Sequence, residues 1–132
     1  MDKTSASIII GAIIISMAIL FGGMYLGGTV KEPTGTKDNV TISDGKQIVK
    51  ILARGGYSPR ISIAKADIPT ILLVETKSSF DCSTALVIPA IGYRENLKST
   101  GLVEIQITPQ KAGTKIQGLC AMGMYNFRID FE

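Results

Sequence analysis

The sequence predicts an all-β domain, a Greek-key β-sandwich or barrel, preceded by one apolar transmembrane helix. Three observations support this fold class. After Gln47, apolar residues alternate with polar ones instead of following the helical period of about 3.6 residues. Turn signals rich in glycine and proline separate these segments, and no charged residue lies between Lys3 and Lys31. About seven short strands at such spacing are typical of a sandwich.

The uncharged segment is long enough to cross a membrane. Its apolar core runs from Ile8 to Leu26 and would span about 28 Å as a helix, close to the hydrocarbon thickness of a bilayer. A cleaved signal peptide is the alternative, but its apolar region is usually only about 7–15 residues, and no clear cleavage site follows here. We therefore predict that residues 1–30 form an uncleaved N-terminal transmembrane anchor.

The flanks of the anchor bear on its orientation and self-association. The free amino terminus and Lys3 favour a cytoplasmic N-terminus, although Lys31 and Lys37 on the other flank reduce the bias. The protein is thus expected to be a single-pass protein of the cell membrane with an extracytoplasmic soluble domain. Gly23 and Gly27 form a GxxxG pair that could join two helices, or they are simply flexible glycines at a helix end. A monomer or a weak dimer through the anchor helix is expected.

The composition changes after the anchor. Residues 31–46 are rich in Thr, Gly, Lys, Asp and Asn and are predicted to form a flexible tether. Residues 47–132 are predicted to form the folded domain. Its two clearest strands, at 103–108 and 126–131, alternate apolar with polar residues and so have one buried and one wet face. Further candidate strands lie at 47–53, 60–64, 70–76, 85–88 and 114–119.

Composition also excludes several classes of function. The chain has no histidine, which excludes imidazole-based catalytic triads, His-ligated zinc sites and His-ligated haem. Its formal net charge of +3 is too small, and too evenly spread, for a nucleic-acid surface, so no nucleic-acid partner is expected. No arrangement of Ser, Lys and carboxylates indicates an active site, and we expect no enzyme and no catalytic residue.

The sulfur-containing side chains are the strongest candidates for chemistry. Outside the anchor and Met1 they are Cys82, Cys120, Met122 and Met124. Methionine commonly fills cores, but this domain uses Leu, Ile and Val elsewhere, and the Met pair interrupts the strand pattern as a loop would. For the cysteines of an exported domain, a disulfide is the alternative. Thiolates and thioethers together form a soft ligand set that selects Cu(I), whereas Zn(II) and hard cations do not use thioethers.

Four motifs resemble the small cupredoxin-fold domains of copper-resistance systems. They are Gly55-Gly56-Tyr57-Ser58-Pro59, Cys82 followed by Pro89, Thr108-Pro109 with Lys111-Ala112-Gly113, and Cys120-Ala121-Met122-Gly123-Met124-Tyr125. The resemblance covers about residues 47–132, and the Cys-x-Met-Gly-Met ending is its most specific part. Within this group, the chain is similar to the membrane-anchored, cupredoxin-fold Cu(I) chaperones of bacterial copper resistance.

The resemblance implies a copper site and a partner. One or two Cu(I) ions would be bound by Cys82, Cys120, Met122 and Met124, with Cys120 able to bridge two ions. The copper would pass to a Cu(I)-exporting P-type ATPase. The sequence departs from electron-transfer cupredoxins at the ligands, because Cys82 stands where a blue-copper protein places its first histidine and no imidazole follows Cys120.

Two other interpretations stay open at this point. The first is an immunoglobulin-like structural or interaction module held by a Cys82–Cys120 disulfide, which a count of free thiols would separate from the copper protein. The second is an electron-transfer cupredoxin, which would have to show an intense blue colour with Cu(II). The missing imidazoles argue against this second interpretation, since a type 1 site needs them.

Overall fold

The computed structural model describes residues 3–25 and 34–132. The chain divides into two compact units, Met1–Glu32 and Pro33–Glu132. The first contains helix α1, Lys3–Tyr25. The stretch Thr4–Gly22 within α1 has 19 residues and a mean hydropathy of 2.3. By length and composition α1 could therefore cross a membrane. Gly27 of the predicted GxxxG pair and residues 31–33 of the predicted tether lie outside the described residues.

The second unit is built from β-strands joined by turns and two short 3-10 segments. The 3-10 segments are Cys82–Thr84 and Pro89–Ile91. The strands are β1 Val40–Ser43, β2 Lys46–Ala53, β3 Tyr57–Ser58, β4 Ile61–Ala64, β5 Thr70–Thr76, β6 Ala85–Ile88, β7 Tyr93–Asn96, β8 Gly101–Ile107, β9 Lys115–Cys120 and β10 Asn126–Phe131.

The strands form two five-stranded sheets. In the first sheet the order is β1-β2-β5-β8, with β3 paired to β2; in the second it is β4-β10-β9-β6-β7. Each sheet contains one parallel pair, β2 with β5 and β4 with β10, and the other pairs are antiparallel. The alternation read from the sequence explains the two faces: in β10, Phe127, Ile129 and Phe131 are buried, while the residues between them are only partly buried.

Both sheets contribute to one hydrophobic core. The buried apolar side chains of the first sheet and those of the second belong to a single cluster, so the two sheets cover each other. Phe127 of β10 and Tyr57 of β3 meet edge to face within it, with their ring centroids 5.0 Å apart. The largest fully buried side chains include Phe127, Ile51, Leu72, Leu86, Ile88, Ile116 and Ile129.

The predicted fold class is corrected by this topology. The positions of the seven predicted strands are confirmed, but the assignment to a cupredoxin-like Greek-key sandwich or barrel is wrong. A Greek key consists of four antiparallel strands in the spatial order 4-1-2-3. Ten strands form two mixed sheets, and neither sheet shows that order within the described residues. The two-residue alternation in the sequence correctly predicted where the strands lie. It carries no information on which strands pair or in which direction.

Part of the predicted tether belongs to the folded unit. Strand β1 pairs with β2 inside the segment 31–46. Thr36 makes an isolated bridge: its N–H donates to the Ile61 carbonyl at 3.0 Å, and its own carbonyl accepts from the Ile63 N–H at 2.8 Å. The polar composition of residues 34–46 therefore reflects an exposed edge strand and its turn rather than a flexible segment.

Candidate metal centre

Cys82 opens a 3-10 turn between β5 of the first sheet and β6 of the second. The preceding residue, Asp81, caps this turn. One carboxylate oxygen, Oδ1, accepts hydrogen bonds from the Ser83 hydroxyl and from the Ser83 N–H, the latter at 2.8 Å. The other oxygen, Oδ2, accepts from the Gly55 N–H at 2.6 Å. Asp81 thus ties the backbone on both sides of Cys82 to the turn that follows β2.

These hydrogen bonds set the charge state of Asp81. They lower the pKa of its carboxyl group, with the Ser83 hydroxyl as the largest cause, followed by the Ser83 N–H; burial acts in the opposite direction, and the Gly55 N–H lowers the pKa further. Tyr57 lies nearby, and its hydroxyl donates to the Ser83 carbonyl at 2.9 Å. Burial, and secondarily the charge of Asp81, raise the pKa of Tyr57. Tyr57 therefore stays protonated and able to donate.

Cys120 ends strand β9, and its side chain is fully buried. Its backbone closes the loop that follows. The Cys120 N–H donates to the Tyr125 carbonyl at 3.0 Å, the Cys120 carbonyl accepts from the Gly123 N–H at 2.8 Å, and the Tyr125 N–H points at Cys120 Sγ at 3.4 Å. Gly123 has a φ of +73°, a conformation that disfavours residues with a side chain. The loop 121–125 is thus a tight turn built around Cys120.

The two cysteines lie side by side and form a disulfide. Their Cα atoms are 5.7 Å apart, although 38 positions separate them in the sequence. The chain contains no other cysteine. The disulfide that the sequence left as an alternative is therefore present in the structure, and binding of a metal by both thiolates requires its reduction.

Met122 and Met124 lie on the loop that Cys120 closes. Both side chains are largely exposed, 78% for Met122 and 65% for Met124. They are therefore not core residues, and the prediction that this segment is a loop between two strands is confirmed. Because both methionines follow Cys120 within a closed turn, all four predicted sulfur residues belong to the Cys82 turn and the β9–β10 loop, which the disulfide joins.

Oxygen and nitrogen donors form no competing metal site in the part of the chain that the structure describes. Within the described ranges, no group of three or more His, Cys, Asp or Glu side chains could hold a metal ion. The candidate donors here are therefore the two cysteines together with the methionine sulfurs. That donor set is soft and suits Cu(I), as the sequence predicts.

Sequence analysis missed the residues that support the cysteines. Asp81 was not singled out, although Asp81-Cys82-Ser83 is a sequence in which an aspartate caps the turn that follows it, and this signal was available.

Sequence analysis also missed Arg54 and Arg60. Together with the Gly55–Gly56 turn, Met124 and Tyr125, they line a cavity of about 280 Å³. Nothing in their spacing indicates that the two arginines share a cavity.

Comparisons with known proteins give structural likenesses only. No protein-family model and no curated protein matches the chain. A solution structure of a copper-binding protein in the apo form is similar, with a TM-score of 0.66 and 25% identity over 75% of this chain and 98% of that one. The Cu(I)-bound crystal structure of the metal-binding domain of the Streptococcus pneumoniae D39 Cu(I)-exporting P-type ATPase CopA is also similar. Its TM-score is 0.62 and its identity 22%, over 70% of this chain and 92% of that domain.

These likenesses have a defined extent. Each covers nearly the whole of the solved chain. The arrangement of strands seen here therefore recurs in one protein described as copper-binding and in one ATPase domain solved with Cu(I).

Proposed function

We propose that this protein binds Cu(I) through Cys82, Cys120, Met122 and Met124 and delivers it to a Cu(I)-exporting P-type ATPase. The observation that carries the proposal is that the Cys82–Cys120 pair joins the Cys82 turn to the loop that contains Met122 and Met124. Two distant cysteines lie with their Cα atoms 5.7 Å apart, and the two methionines occupy the turn that one of these cysteines closes. The likeness to a copper-binding protein and to a Cu(I)-bound ATPase domain supports the same metal.

The ligand chemistry separates the roles of the two sulfur types. Reduction of the disulfide by an external dithiol consumes two electrons and two protons and leaves two thiols. Cu(I) then displaces the thiol protons and is held by two thiolates, so binding weakens at low pH. The thioethers are neutral and weaker donors. Because Met122 and Met124 are exposed, they can hold an outer position or a second ion that an acceptor can reach.

The proposed delivery takes place at a membrane surface. Residues 1–30 would anchor the chain, since α1 is long and apolar enough to cross a bilayer. The folded unit would then lie on the extracytoplasmic side as a tethered donor, which raises its effective concentration near a membrane partner. Phe80, 85% exposed and two residues before Cys82, would add an apolar contact for that partner.

A Cu(I) competition titration tests the binding step. The full chain, in a non-ionic detergent and fully reduced, should bind at least one Cu(I) in the presence of a competing chelator. Cys120→Ser should weaken binding by more than about 100-fold, because loss of groups that merely support a ligand already costs about 10–100-fold. Met122→Leu with Met124→Leu should weaken it by a smaller factor.

Met17→Leu is the matched control for the methionine variants. It removes a thioether from α1 and leaves the proposed site intact, so it should bind copper like the unchanged chain. Unaltered binding by Cys120→Ser, or equal losses in Met17→Leu and in the double methionine variant, would contradict the proposed ligand set.

Transfer to the isolated metal-binding domain of a Cu(I)-exporting P-type ATPase tests the delivery step. The copper-loaded chain is mixed with the copper-free domain, and the copper content of each is measured after separation. Phe80→Ser should slow transfer without changing Cu(I) affinity, whereas Leu102→Ser, at another exposed apolar residue, should leave the rate unchanged. Equal rates for the two variants would remove Phe80 from the proposed contact.

The disulfide favours a second candidate function. A protein that keeps the Cys82–Cys120 bond permanently would be a structural or interaction module without metal. A free-thiol count after anaerobic purification from cells separates the candidates. Two free thiols per chain favour copper binding, and none favours the structural module.

A further inference from the structure

A cavity next to Met124 carries two positive charges. Arg54 follows β2 and Arg60 precedes β4, and both exposed side chains line the cavity together with Met124 and Tyr125. Neither guanidinium has an ion-pair or side-chain hydrogen-bond partner in the parts of the chain that the structure describes. Two unpaired arginines beside one cavity are a ready site for carboxylate groups, which arginine binds in a bidentate manner.

The turn Gly55–Gly56 forms part of the lining of this cavity. The glycines have φ values of +59° and +120°, so residues with a side chain are disfavoured there. A Cβ on Gly56 would lie 3.5 Å from the Tyr125 ring and would narrow the space. The nearby carboxylate of Asp81 is engaged by Ser83 and Gly55, and this carboxylate forms no ion pair with either arginine.

The same turn connects the cavity to the sulfur residues. Gly55 is bound by Asp81, which immediately precedes Cys82, and Met124 is itself part of the cavity wall. A molecule held by the arginines would therefore lie beside a proposed copper ligand. At about 280 Å³ the cavity suits a small molecule, near the lower limit of ligand sites, rather than a flat protein surface.

We propose that this cavity binds the carboxylates of a small acidic thiol that carries Cu(I), and that the copper enters the protein there. This inference rests on the proposed function and adds the class of copper donor. Copper stays Cu(I) throughout. The copper–sulfur bonds of the carrier break as bonds to Met124 and then to the two cysteine thiolates form, and the protons released by Cys82 and Cys120 pass to the departing carrier thiolates or to water.

Binding of the carboxylates can be tested without copper. The probe is S-methylglutathione, which has two carboxylates but no free thiol, added to the full chain in a non-ionic detergent and followed by NMR shifts. Binding in the millimolar range, with shifts at residues of the cavity, is expected. Arg54→Gln with Arg60→Gln should weaken binding of S-methylglutathione about tenfold, because the losses in affinity from two exposed ion pairs multiply.

A charge-matched control excludes a general effect of net charge. Lys98→Gln with Lys111→Gln removes two exposed positive charges that do not line the cavity and should leave binding unchanged. Absence of binding to the unchanged chain, or equal weakening in both double variants, would overturn the proposed site.

Copper uptake tests the role of the site and separates it from the proposed function. Arg54→Gln with Arg60→Gln should slow uptake from the Cu(I)–glutathione complex but not from the Cu(I) complex of 2-mercaptoethanol, a thiol without a carboxylate. Equal rates from glutathione in variant and unchanged chain would overturn the proposed entry route. If the reduced chain binds no Cu(I) while S-methylglutathione still binds at the arginines, the proposed function fails and the carboxylate site stands.

Discussion

Asp81 is the residue that holds the Cys82 turn in place. Its carboxylate accepts hydrogen bonds from Ser83, which is fully buried, and from Gly55. Removal of the carboxylate would leave the buried Ser83 hydroxyl and N–H without their acceptor, which costs about 1–3 kcal/mol. A single carboxylate thereby links the β2–β3 turn, the first cysteine and the cavity with the two arginines.

Asp81→Ala should lower the free energy of unfolding at neutral pH by about 1–3 kcal/mol. The pKa of Asp81 is lowered in the folded state, so its stabilising effect is present above the unfolded pKa, about 3.9, and is lost as pH falls through the folded pKa. The difference between variant and unchanged chain should therefore shrink in acid. Urea unfolding at several pH values measures this, with Asp38→Ala, at an exposed carboxylate, as control. A difference that is constant down to low pH would contradict the assignment.

At the scale of elements, the β9–β10 hairpin supports the sulfur loop. Gly118 of β9 is in register with Phe127 of β10, and a Cβ on Gly118 would overlap the Phe127 ring. The absence of a side chain at this position lets the ring lie across the strand and into the core. The hairpin thus fixes the start of the loop at Cys120 and its end at Tyr125.

Gly118→Ala should destabilise the protein by about 1–3 kcal/mol, because a buried ring must move into a packed core. Gly101→Ala is the matched control, since Gly101 also lies in a strand but has open space around it; it should change stability by less than about 0.5 kcal/mol. Thermal unfolding of both variants measures the difference. Equal effects would show that Phe127 does not depend on Gly118.

Prediction from sequence succeeded for strands that show alternating or continuous apolar residues, and it failed for strands that show neither pattern. β5 and β6 were predicted with their observed limits, because each combines a run of β-branched or apolar residues with clear turns. β3 has only two residues, and β1 and β7 have mostly exposed side chains, so none of them leaves a pattern of burial. The pairing of β2 with β5 in parallel depends on contacts across the chain, which periodicity does not encode.

The same physical limits apply to the candidate site. Cysteine and methionine are rare and chemically distinctive, so they could be singled out as candidate ligands from residue types and a family resemblance. The arginines of the cavity are common residues that come together only after the chain has folded. The bond between Cys82 and Cys120 depends on redox conditions as well as on distance, and the sequence left it open for that reason.

For the molecule as a whole, the Cys82–Cys120 link joins the crossover between the two sheets to the end of β9. A disulfide that closes a loop of 38 residues stabilises a protein by about 4 kcal/mol in the chain-entropy account. Reduction should therefore lower the melting temperature. Cu(I) bound by both thiolates should restore much of the loss, because a ligand that binds only the folded state adds about 2.7 kcal/mol at 100 times its Kd.

Thermal unfolding of three forms of the full chain checks this prediction. The melting temperature should be lowest for the reduced chain without metal and higher for both the disulfide form and the reduced chain with Cu(I). Cys120→Ser serves as control, since neither oxidation nor copper should raise its melting temperature to the same extent. A reduced chain that copper does not stabilise would argue against a metal cross-link.

The most direct measurement is a Cu(I) competition titration of one preparation in its reduced and disulfide forms, each with its free thiols counted. The proposed site requires both thiolates, so the reduced chain should bind at least one Cu(I) tightly. The disulfide form should retain only weak binding through Met122 and Met124. A fully reduced chain that fails to compete for Cu(I), or a disulfide form that binds equally well, would contradict a copper site built from Cys82 and Cys120.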